Sequence, residues 1–213
     1  MSRLGRLHLI TDTRPGRDPL AVVSAALSAA HAAEAASQLV VQVRVEDAVT
    51  DRAAYELAAR IVDECAAVEA ACLINDRLHI ALAVGAAGGH VGADDLPVAA
   101  ARRILGPAAT LGATARTAAA GRAAVAAGAG YLGVGPCYPT ATKDGLPKPI
   151  GPEGVAEVAR AVDVPVIAIG GVTAARVPEL LAAGAHGVAV VGAVAGADDP
   201  GRATLELLGA LGC

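Results

Sequence analysis

The sequence predicts an α/β protein, a single (β/α)8 TIM barrel that spans residues 1–213. Three observations lead to this fold class. Short apolar segments alternate with Ala-rich segments eight times along the chain, as parallel strands alternate with their crossover helices. The length of 213 residues suits one compact barrel, and without Phe or Trp the core must be built from small aliphatic side chains. The alternative, an open doubly wound sheet, lacks a Gly-x-Gly-x-x-Gly motif before the first helix.

Eight short apolar segments predict the strands, because a parallel sheet is covered on both faces and its strands read as continuous apolar runs. Most of these segments end at a glycine or a polar residue, which marks the start of a loop. In chain order, the predicted strands are residues 7–11, 39–44, 71–74, 89–92, 110–114, 131–135, 165–169 and 187–191.

The segments that follow the strands predict helices. Thr50 or Asp51 can cap the second helix. Gly-Ala pairs that begin at Gly85, Gly128 and Gly184 each end a helix just before a strand, which forms a faint internal repeat. In chain order, the predicted helices are residues 18–36, 50–68, 77–85, 97–105, 117–127, 151–162, 173–183 and 200–211.

Composition and charge narrow the function classes. A net charge of −4 without a basic cluster gives nucleic-acid binding little electrostatic basis. The four cysteines form no Cys-x-x-Cys pair and are expected as free thiols in a reducing cytoplasm. Residues 180–197 are uncharged, but their glycines fit a helix end followed by a strand better than a membrane span. Without a signal peptide at its start, the sequence predicts a soluble cytoplasmic protein with no membrane partner.

The chemistry is expected at one end of the barrel, because active sites of this fold lie at the C-terminal ends of the strands. Polar or glycine residues that follow the predicted strands include Asp12, Gln42, Arg44, Asn75, Asp76, His90, Asp94, Asp95, Thr114, Thr140, Thr142, Lys143, Gly170, Gly171 and Gly192. The loop after the sixth strand is the most distinctive. Two prolines stiffen it, and it delivers two hydroxyls and a cation that suit a phosphate ligand.

Three subsites are predicted within this set. Asp76 and Asp95 follow neighbouring strands, and Mg²⁺ is held by one or two carboxylates together with substrate phosphates. Arg44, Asn75 and Lys143 can surround an anion. Glycines after the seventh and eighth strands leave backbone N–H groups open for another phosphate. A metal with two phosphate sites predicts two phosphorylated substrates or one doubly phosphorylated substrate.

Each of these residues also has a purely structural interpretation. Asp76 and Asp95 can cap the helices that follow them. Arg44 can form an ion pair with Glu46, and His90 is most simply a core histidine with satisfied hydrogen bonds. The capping interpretation is the stronger one for either aspartate alone, whereas the pair with facing donors favours a metal.

Five motifs follow one another along the chain: Ile-Asn-Asp at 74–76, His-Val-Gly with Asp-Asp-Leu-Pro at 90–97, Gly-Pro-x-x-Pro-Thr-x-Thr-Lys at 135–143, Ala-Ile-Gly-Gly at 168–171, and Gly-Val-Ala-Val-Val at 187–191. Their order and spacing resemble the thiamine phosphate synthase family and cover nearly the whole chain. The motif at 135–143 is the most specific, whereas Ala-Ile-Gly-Gly also occurs in other phosphate-binding barrels.

The resemblance implies an enzyme that joins the two halves of thiamine. Its substrates would be 4-amino-2-methyl-5-hydroxymethylpyrimidine pyrophosphate and 4-methyl-5-(2-hydroxyethyl)thiazole phosphate or its carboxylated form, with Mg²⁺ as cofactor. The resemblance assigns Gln42, Arg44, Asn75 and Lys143 to the pyrimidine pyrophosphate, Asp76 and Asp95 to Mg²⁺, Thr114 to the reacting centre, and Thr140, Thr142, Gly171, Val191 and Gly192 to the thiazole phosphate.

The implied mechanism needs no strong base or nucleophile from the protein. The aminopyrimidine ring expels pyrophosphate and becomes a stabilised cation, which the thiazole nitrogen captures. Arg44 and Lys143 would neutralise the leaving group together with Mg²⁺. Three positions depart from the family's pattern: Glu46 stands where Lys is usual, Gly192 where Ser is usual, and Thr114 replaces Ser.

Other functions compete with this interpretation. A thiazole tautomerase-like isomerase uses the same barrel but needs no metal-bound pyrophosphate; Asp76, Asp95 and Lys143 argue against it, and Glu46 argues mildly for it. A non-catalytic binder of thiazole phosphate would bind without turnover. A phosphosugar isomerase barrel would give the loop at 135–143 no role. The sequence leaves the oligomeric state open, with a homo-oligomer as one alternative.

Overall fold

The strands close into a barrel. In the computed structural model, which describes residues 4–140 and 147–213, eight parallel strands pair in sequence order and the last pairs with the first. They are β1 (Leu7–Ile10), β2 (Leu39–Val43), β3 (Ala71–Asn75), β4 (Gly88–Val91), β5 (Thr110–Ala115), β6 (Tyr131–Val134), β7 (Val166–Ile169) and β8 (Gly187–Val190). The predicted fold class is confirmed, and no predicted strand end differs from the observed one by more than one residue.

Helices connect the strands on the outside of the barrel. They are α1 (Pro19–Ala32), α2 (Asp51–Ala67), α3 (Leu78–Ala83), α4 (Val98–Leu105), α5 (Ala118–Ala126), α6 (Gly151–Ala159), α7 (Val177–Ala182), α8 (Gly192–Ala195) and α9 (Pro200–Ala210). The short helix α8 was not predicted. Two 3₁₀ turns, Ala36–Gln38 and Ala174–Arg176, stand where the first predicted helix was to end and the seventh was to begin.

Side-chain caps start several of these helices. Thr50, one of two predicted caps of α2, accepts a hydrogen bond from the Ala53 N–H at 3.3 Å. Asp18, Thr117 and Asp199 accept equivalent bonds at the starts of α1, α5 and α9. Each cap gives a partner to an N–H group that the helix itself leaves unbonded, which fixes where the chain turns from loop to helix.

Apolar side chains divide into two packed regions because successive residues of a strand point to opposite faces. Leu9 packs outward, between the strands and the helices, and its neighbour Ile10 packs inward. The inner region also contains Val40, Leu73, Tyr131, Ile167 and Ala189. As the composition predicts, Ala, Val, Leu and Ile supply most of the buried hydrophobic residues in both regions.

Tyr131, the largest of the fully buried side chains, occupies space that two glycines leave open inside the barrel. A Cβ atom at Gly112 would lie 2.1 Å from Cζ of Tyr131 and 2.4 Å from Nδ1 of His90. A Cβ atom at Gly133 would lie 3.0 Å from Cε1 of His90. The two glycines on neighbouring strands therefore make room for one tyrosine and one histidine at the centre of the fold.

The described helices include none with the length and apolar character that a membrane span requires. All four cysteines are unpaired thiols. Cys137, in the loop after β6, is buried, and burial raises the pKa of its thiol to about 11. A thiol that stays protonated is a poor nucleophile, which agrees with a packing role.

We predict that Gly112→Ala destabilises the fold by about 2 kcal/mol or more, because the added methyl group overlaps the Tyr131 and His90 rings. Gly209→Ala is the matched control. Its Cβ would meet no atom within 4 Å, so alanine should stabilise α9 by about 0.5–1 kcal/mol. Urea unfolding of both variants measures the difference, and equal stabilities would contradict the packing described here.

Candidate active site

The strand register places several of the predicted site residues that the structure describes side by side at the C-terminal mouth of the barrel. Gln42 pairs with Ile10 of β1 on one side and with Leu73 of β3 on the other. Asn75 pairs with His90 across β3 and β4. Polar groups that are far apart in sequence thus meet on neighbouring strands.

A hydrogen-bonded relay crosses the ends of β2 and β3. The Gln42 side-chain amide donates to Oδ1 of Asn75 at 2.8 Å, and the Asn75 amide donates to Oδ2 of Asp76 at 2.5 Å. Gln42 is buried, Asn75 is half-buried and Asp76 is exposed. The relay therefore starts inside the barrel and presents a carboxylate to the solvent at its mouth.

Neither aspartate of the predicted metal pair caps a helix. The cap position of α3 is Arg77 and that of α4 is Pro97, and neither helix has a side-chain cap. Asp76 has a positive φ of 57°, and its N–H donates to the His90 carbonyl at 2.9 Å. Asp95 accepts from the N–H of Gly92 at 3.0 Å instead. The capping interpretation of both residues is therefore wrong.

Arg44 lies just beyond β2 and is held there by its backbone. The Thr11 hydroxyl accepts from the Arg44 N–H at 2.8 Å and donates to the Arg44 carbonyl at 2.6 Å. The Arg44 guanidinium contacts the Glu46 carboxylate at 3.4 Å, so the ion pair considered from the sequence is present. Both side chains are partly exposed, and the guanidinium keeps access to the mouth.

Asp12, whose carboxylate is buried, forms ion pairs at the end of β1 with two arginines that are partly exposed. Its carboxylate accepts from Nε of Arg14 at 2.8 Å and from Nη2 at 2.7 Å, and Arg17 approaches to 3.5 Å. The hydrogen bonds from Arg14 hold the pKa of Asp12 below its usual value. Asp12 thus stabilises the loop after β1 through its ion pairs with Arg14 and Arg17 of the same loop.

The loop after β6 is bonded to the loop after β7. The N–H groups of Cys137 and Tyr138 donate to the carbonyls of Ile169 and Gly170 at 2.8 and 3.0 Å. A Cβ atom at Gly171 would lie 2.6 Å from the Pro139 carbonyl oxygen, so only glycine permits this approach. Thr140 follows directly and is half-buried. Thr142 and Lys143 lie outside the described residues.

Two further contacts join the same loops through side chains. The Tyr138 hydroxyl donates to the Glu179 carboxylate, and the Arg176 guanidinium lies 4.2 Å from the centre of the Tyr138 ring. Arg176 also donates to the Gly171 carbonyl at 2.5 Å. The backbone next to the predicted phosphate site is therefore fixed from both sides.

The end of β8 leads straight into the short helix α8. Val191 is its cap residue and packs against the inner apolar region, and Gly192 is its first residue. The Val191 carbonyl accepts from the Ala195 N–H at 2.9 Å. The first N–H groups of a helix have no partner within it, so the start of α8 offers backbone donors after β8 that the sequence pattern did not reveal.

Tyr131 was not recognised from the sequence as a neighbour of the site, whereas His90 was placed at this end of the barrel and interpreted as a core histidine with satisfied hydrogen bonds, which agrees with its contacts. His90 lies 3.0 Å from the Tyr131 hydroxyl through Nδ1 and 3.0 Å from the Thr114 hydroxyl through Nε2. With Gln42 and His8, they line a cavity of about 40 Å³ directly below the mouth. Burial lowers the pKa of His90 to about 4 and that of His8 to about 3, so both rings are neutral at pH 7.

His8 lies on β1. It is buried inside the barrel, but its Nε2 atom has no hydrogen-bond partner among the described residues.

A wider depression of about 680 Å³ opens at the other end of the barrel, beside Arg6 and Cys213. None of the predicted site residues lines it.

Sequence comparison identifies close relatives. The sequence model of a family described as thiamine monophosphate synthase matches residues 7–194. A thiamine-phosphate synthase from Salinispora arenicola is 67% identical over 213 residues, which cover 100% of both chains. One from Salinispora tropica is 66% identical and covers 99% of both chains, and one from Haloquadratum walsbyi is 42% identical over 96% of this chain and 90% of its own.

Structure comparison agrees. A thiamine phosphate pyrophosphorylase from Pyrococcus furiosus superposes with a TM-score of 0.85 at 31% identity, over 97% of this chain and 95% of its own. A 3-hexulose-6-phosphate synthase superposes with a TM-score of 0.69 at 20% identity, over 97% of this chain and 99% of its own, and shares the fold alone.

We predict that Asp12→Asn lowers stability by about 1–3 kcal/mol at pH 7, because the charged hydrogen bonds from Arg14 are lost. The pKa of Asp12 is lowered in the folded state, so its contribution is present above the ordinary value of 3.8 and disappears as pH falls through the folded value. Unfolding curves at pH 7 and near pH 2 measure this. Asp63→Asn, on the exposed face of α2, is the control, and an Asp12→Asn loss that stays constant down to low pH would contradict it.

Proposed function

The chain belongs to the thiamine monophosphate synthase family, and from that premise we propose which residues at the mouth of the barrel bind the substrates and promote the reaction. The protein is a transferase, a thiamine-phosphate synthase, as are relatives 67% and 66% identical to it over nearly the whole chain. The tautomerase and the non-catalytic binder are therefore set aside. The substrates are a pyrimidine and a thiazole phosphate.

The proposed pyrimidine pyrophosphate site lies over β2, β3 and the loop after β6. Gln42, Arg44, Asn75 and Lys143 would bind this substrate. The observation that carries the assignment is the relay from Gln42 through Asn75 to Asp76, because it orients amide groups and one carboxylate toward the same opening. Arg44 stands at the adjacent strand end with its backbone held by Thr11.

The proposed thiazole phosphate site lies on the opposite side of the mouth. The residues assigned to it are Thr140, Thr142, Gly171, Val191 and Gly192. Support comes from the hydrogen bonds that join the loops after β6 and β7, and from the backbone N–H groups that α8 begins with directly after β8. Such groups bind phosphate without a full positive charge.

Asp76 and Asp95 fit a magnesium ion by the chemistry of their donors. Two carboxylates follow neighbouring strands, neither caps a helix, and both lie beside His90, whose carbonyl accepts from Asp76 and whose ring feels the charge of Asp95. The described residues offer no third acidic, histidine or cysteine ligand there, so phosphate oxygens and water would complete the shell. A bound Mg²⁺ supplies positive charge to the leaving pyrophosphate.

In the proposed mechanism the protein positions two rings and stabilises a leaving group. Arg44 and Lys143 donate to pyrophosphate oxygens as the bond to the pyrimidine methylene breaks. The apolar inner side chains below the mouth, Ile167 and Ile169, exclude water from the cationic pyrimidine. The bonded loops hold the thiazole phosphate so that the ring nitrogen faces the cation.

The test of this function is turnover. We expect purified protein, supplied with the pyrimidine pyrophosphate, the thiazole phosphate and Mg²⁺, to form thiamine phosphate, which is followed by oxidation to its fluorescent thiochrome form. Parallel reactions with the carboxylated thiazole phosphate identify the preferred substrate. Thiazole phosphate binding without any product would refute the assignment.

We predict that Asp76→Asn raises the Mg²⁺ concentration needed for half-maximal rate by at least about 10-fold, the lower range for losing even an outer partner of a metal. Asparagine tolerates the positive φ of 57° at this position, so the backbone is retained. Asp94→Asn, which is exposed in the same region as Asp95, is the matched control and should leave the requirement unchanged. Equal magnesium titrations for wild type and Asp76→Asn would remove Asp76 from the metal site.

A further inference from the structure

A buried chain of three side chains runs from the centre of the barrel to its mouth. Tyr131 and His90 are 1% and 8% exposed, and the Tyr131 hydroxyl lies 3.0 Å from Nδ1 of His90. The other ring nitrogen, Nε2, lies 3.0 Å from Oγ1 of Thr114, which is half-buried at the mouth. The family resemblance assigns Thr114 to the reacting centre of the proposed function but gives the two aromatic rings below it no role.

The sequence builds a specific space for this chain. His90, Gly112 and Tyr131 lie on three successive strands, with His90 opposite Gly112 and Gly112 opposite Tyr131 in register. A side chain at Gly112 would overlap both rings. The two rings meet with centroids 5.6 Å apart, tilted by 39°. Their contact is thus set by the barrel register and by the absence of a side chain between them.

The hydrogen-bond partners of Tyr131, His90 and Thr114 determine which atom carries the proton in each bond. Burial raises the pKa of Tyr131, so the phenol keeps its proton. Among the described residues, the Tyr131 hydroxyl has Nδ1 of His90 as its hydrogen-bond partner. The centre of the His8 ring lies 5.2 Å from the centre of the Tyr131 ring, but Nε2 of His8 has no hydrogen-bond partner among the described residues. Tyr131 is therefore the donor and Nδ1 the acceptor, because a buried hydroxyl rarely leaves its proton unpaired.

The bond between His90 and Thr114 can be assigned a direction in the same way. His90 is buried, and both of its ring nitrogens face hydroxyl groups, so the neutral ring with one proton is the form that this site favours. With Nδ1 accepting, that proton resides on Nε2, and Nε2–H donates to Oγ1 of Thr114. The Thr114 hydroxyl therefore accepts a hydrogen bond from His90 on its inner side. Its own hydrogen can then be donated to a group in the mouth of the barrel.

We propose that His90 is a positioning residue, fixed in its Nε2–H tautomer by Tyr131, which orients the Thr114 hydroxyl as a hydrogen-bond donor to an acceptor atom of the bound substrate. The inference rests on the proposed function, since it takes Thr114 to lie at the reacting centre. A hydroxyl held in this way needs no reorientation during the reaction, and preorganised donors are the ones that stabilise developing charge.

The first test needs no substrate. We expect ¹⁵N NMR of the histidine-labelled protein at pH 7 to show, for His90, a protonated Nε2 and an unprotonated Nδ1. The resonance is identified by its loss in His90→Gln. Tyr131→Phe removes the donor to Nδ1 and should shift the tautomer balance, whereas Tyr55→Phe, at an exposed site on α2, should not. An Nδ1–H tautomer in the wild type would overturn the proposal whether or not the enzyme turns over.

The second test separates positioning from packing. Tyr131→Phe keeps the ring and should lower the single-turnover rate by about 10-fold, within the range found for outer-shell partners. In a Thr114→Val background, where no hydroxyl remains to orient, the same substitution should change the rate by less than about twofold. Thr114→Ser should keep the dependence on Tyr131. If Tyr131→Phe lowers the rate equally in the wild-type and Thr114→Val backgrounds, the proposal is refuted. If the wild type forms no product, the proposed function is refuted instead.

Discussion

Closure of the sheet is the constraint on which the rest of this structure depends. β1 pairs with β8 through Leu7, His8 and Leu9, so every strand has two neighbours and the sheet has no exposed edge. All eight strands run in the same direction, and their C-terminal ends therefore meet around one opening. Residues as distant as Gln42 and Val191 become parts of one mouth because the ring closes, and a single strand out of register would scatter them.

The same closure limits what the barrel can hold inside. Inward side chains from eight strands share a narrow space, and this chain fills it with aliphatic residues, two histidines and one tyrosine. Gly112 and Gly133 release the volume that Tyr131 and His90 occupy. Burying a polar ring costs free energy that hydrogen bonds offset, and His90 bonds at both nitrogens, whereas Nε2 of His8 has no partner among the described residues. The hydrogen bonds of the buried rings extend from Tyr131 through His90 to Thr114 at the mouth.

Local sequence predicted the elements well and the contacts between them less well. Strands were recognised because each is an apolar run that stops at glycine or a polar residue, and that signal does not depend on the partner strand. The helix α8 was not predicted because its four residues, Gly192–Ala195, are too few to show a helical period. The roles of Asp76 and Asp95 could not be decided from sequence, since an aspartate before a helix fits both a cap and a ligand. The contact of His90 with Tyr131 joins residues 41 positions apart and follows only from the register of three strands.

The departure at Glu46 is resolved by comparing magnitudes. Its carboxylate lies 3.4 Å from the Arg44 guanidinium, but the two side chains are 38% and 23% exposed, and pairs of this kind contribute about 0–1 kcal/mol. A charged hydrogen bond from Arg44 to a pyrophosphate oxygen contributes about 1.5–3 kcal/mol. Arg44 can therefore leave Glu46 for the substrate, while the Thr11 hydroxyl keeps the Arg44 backbone in place. Glu46 weakens the attraction of the mouth for an anion but does not block Arg44, the residue proposed to bind it.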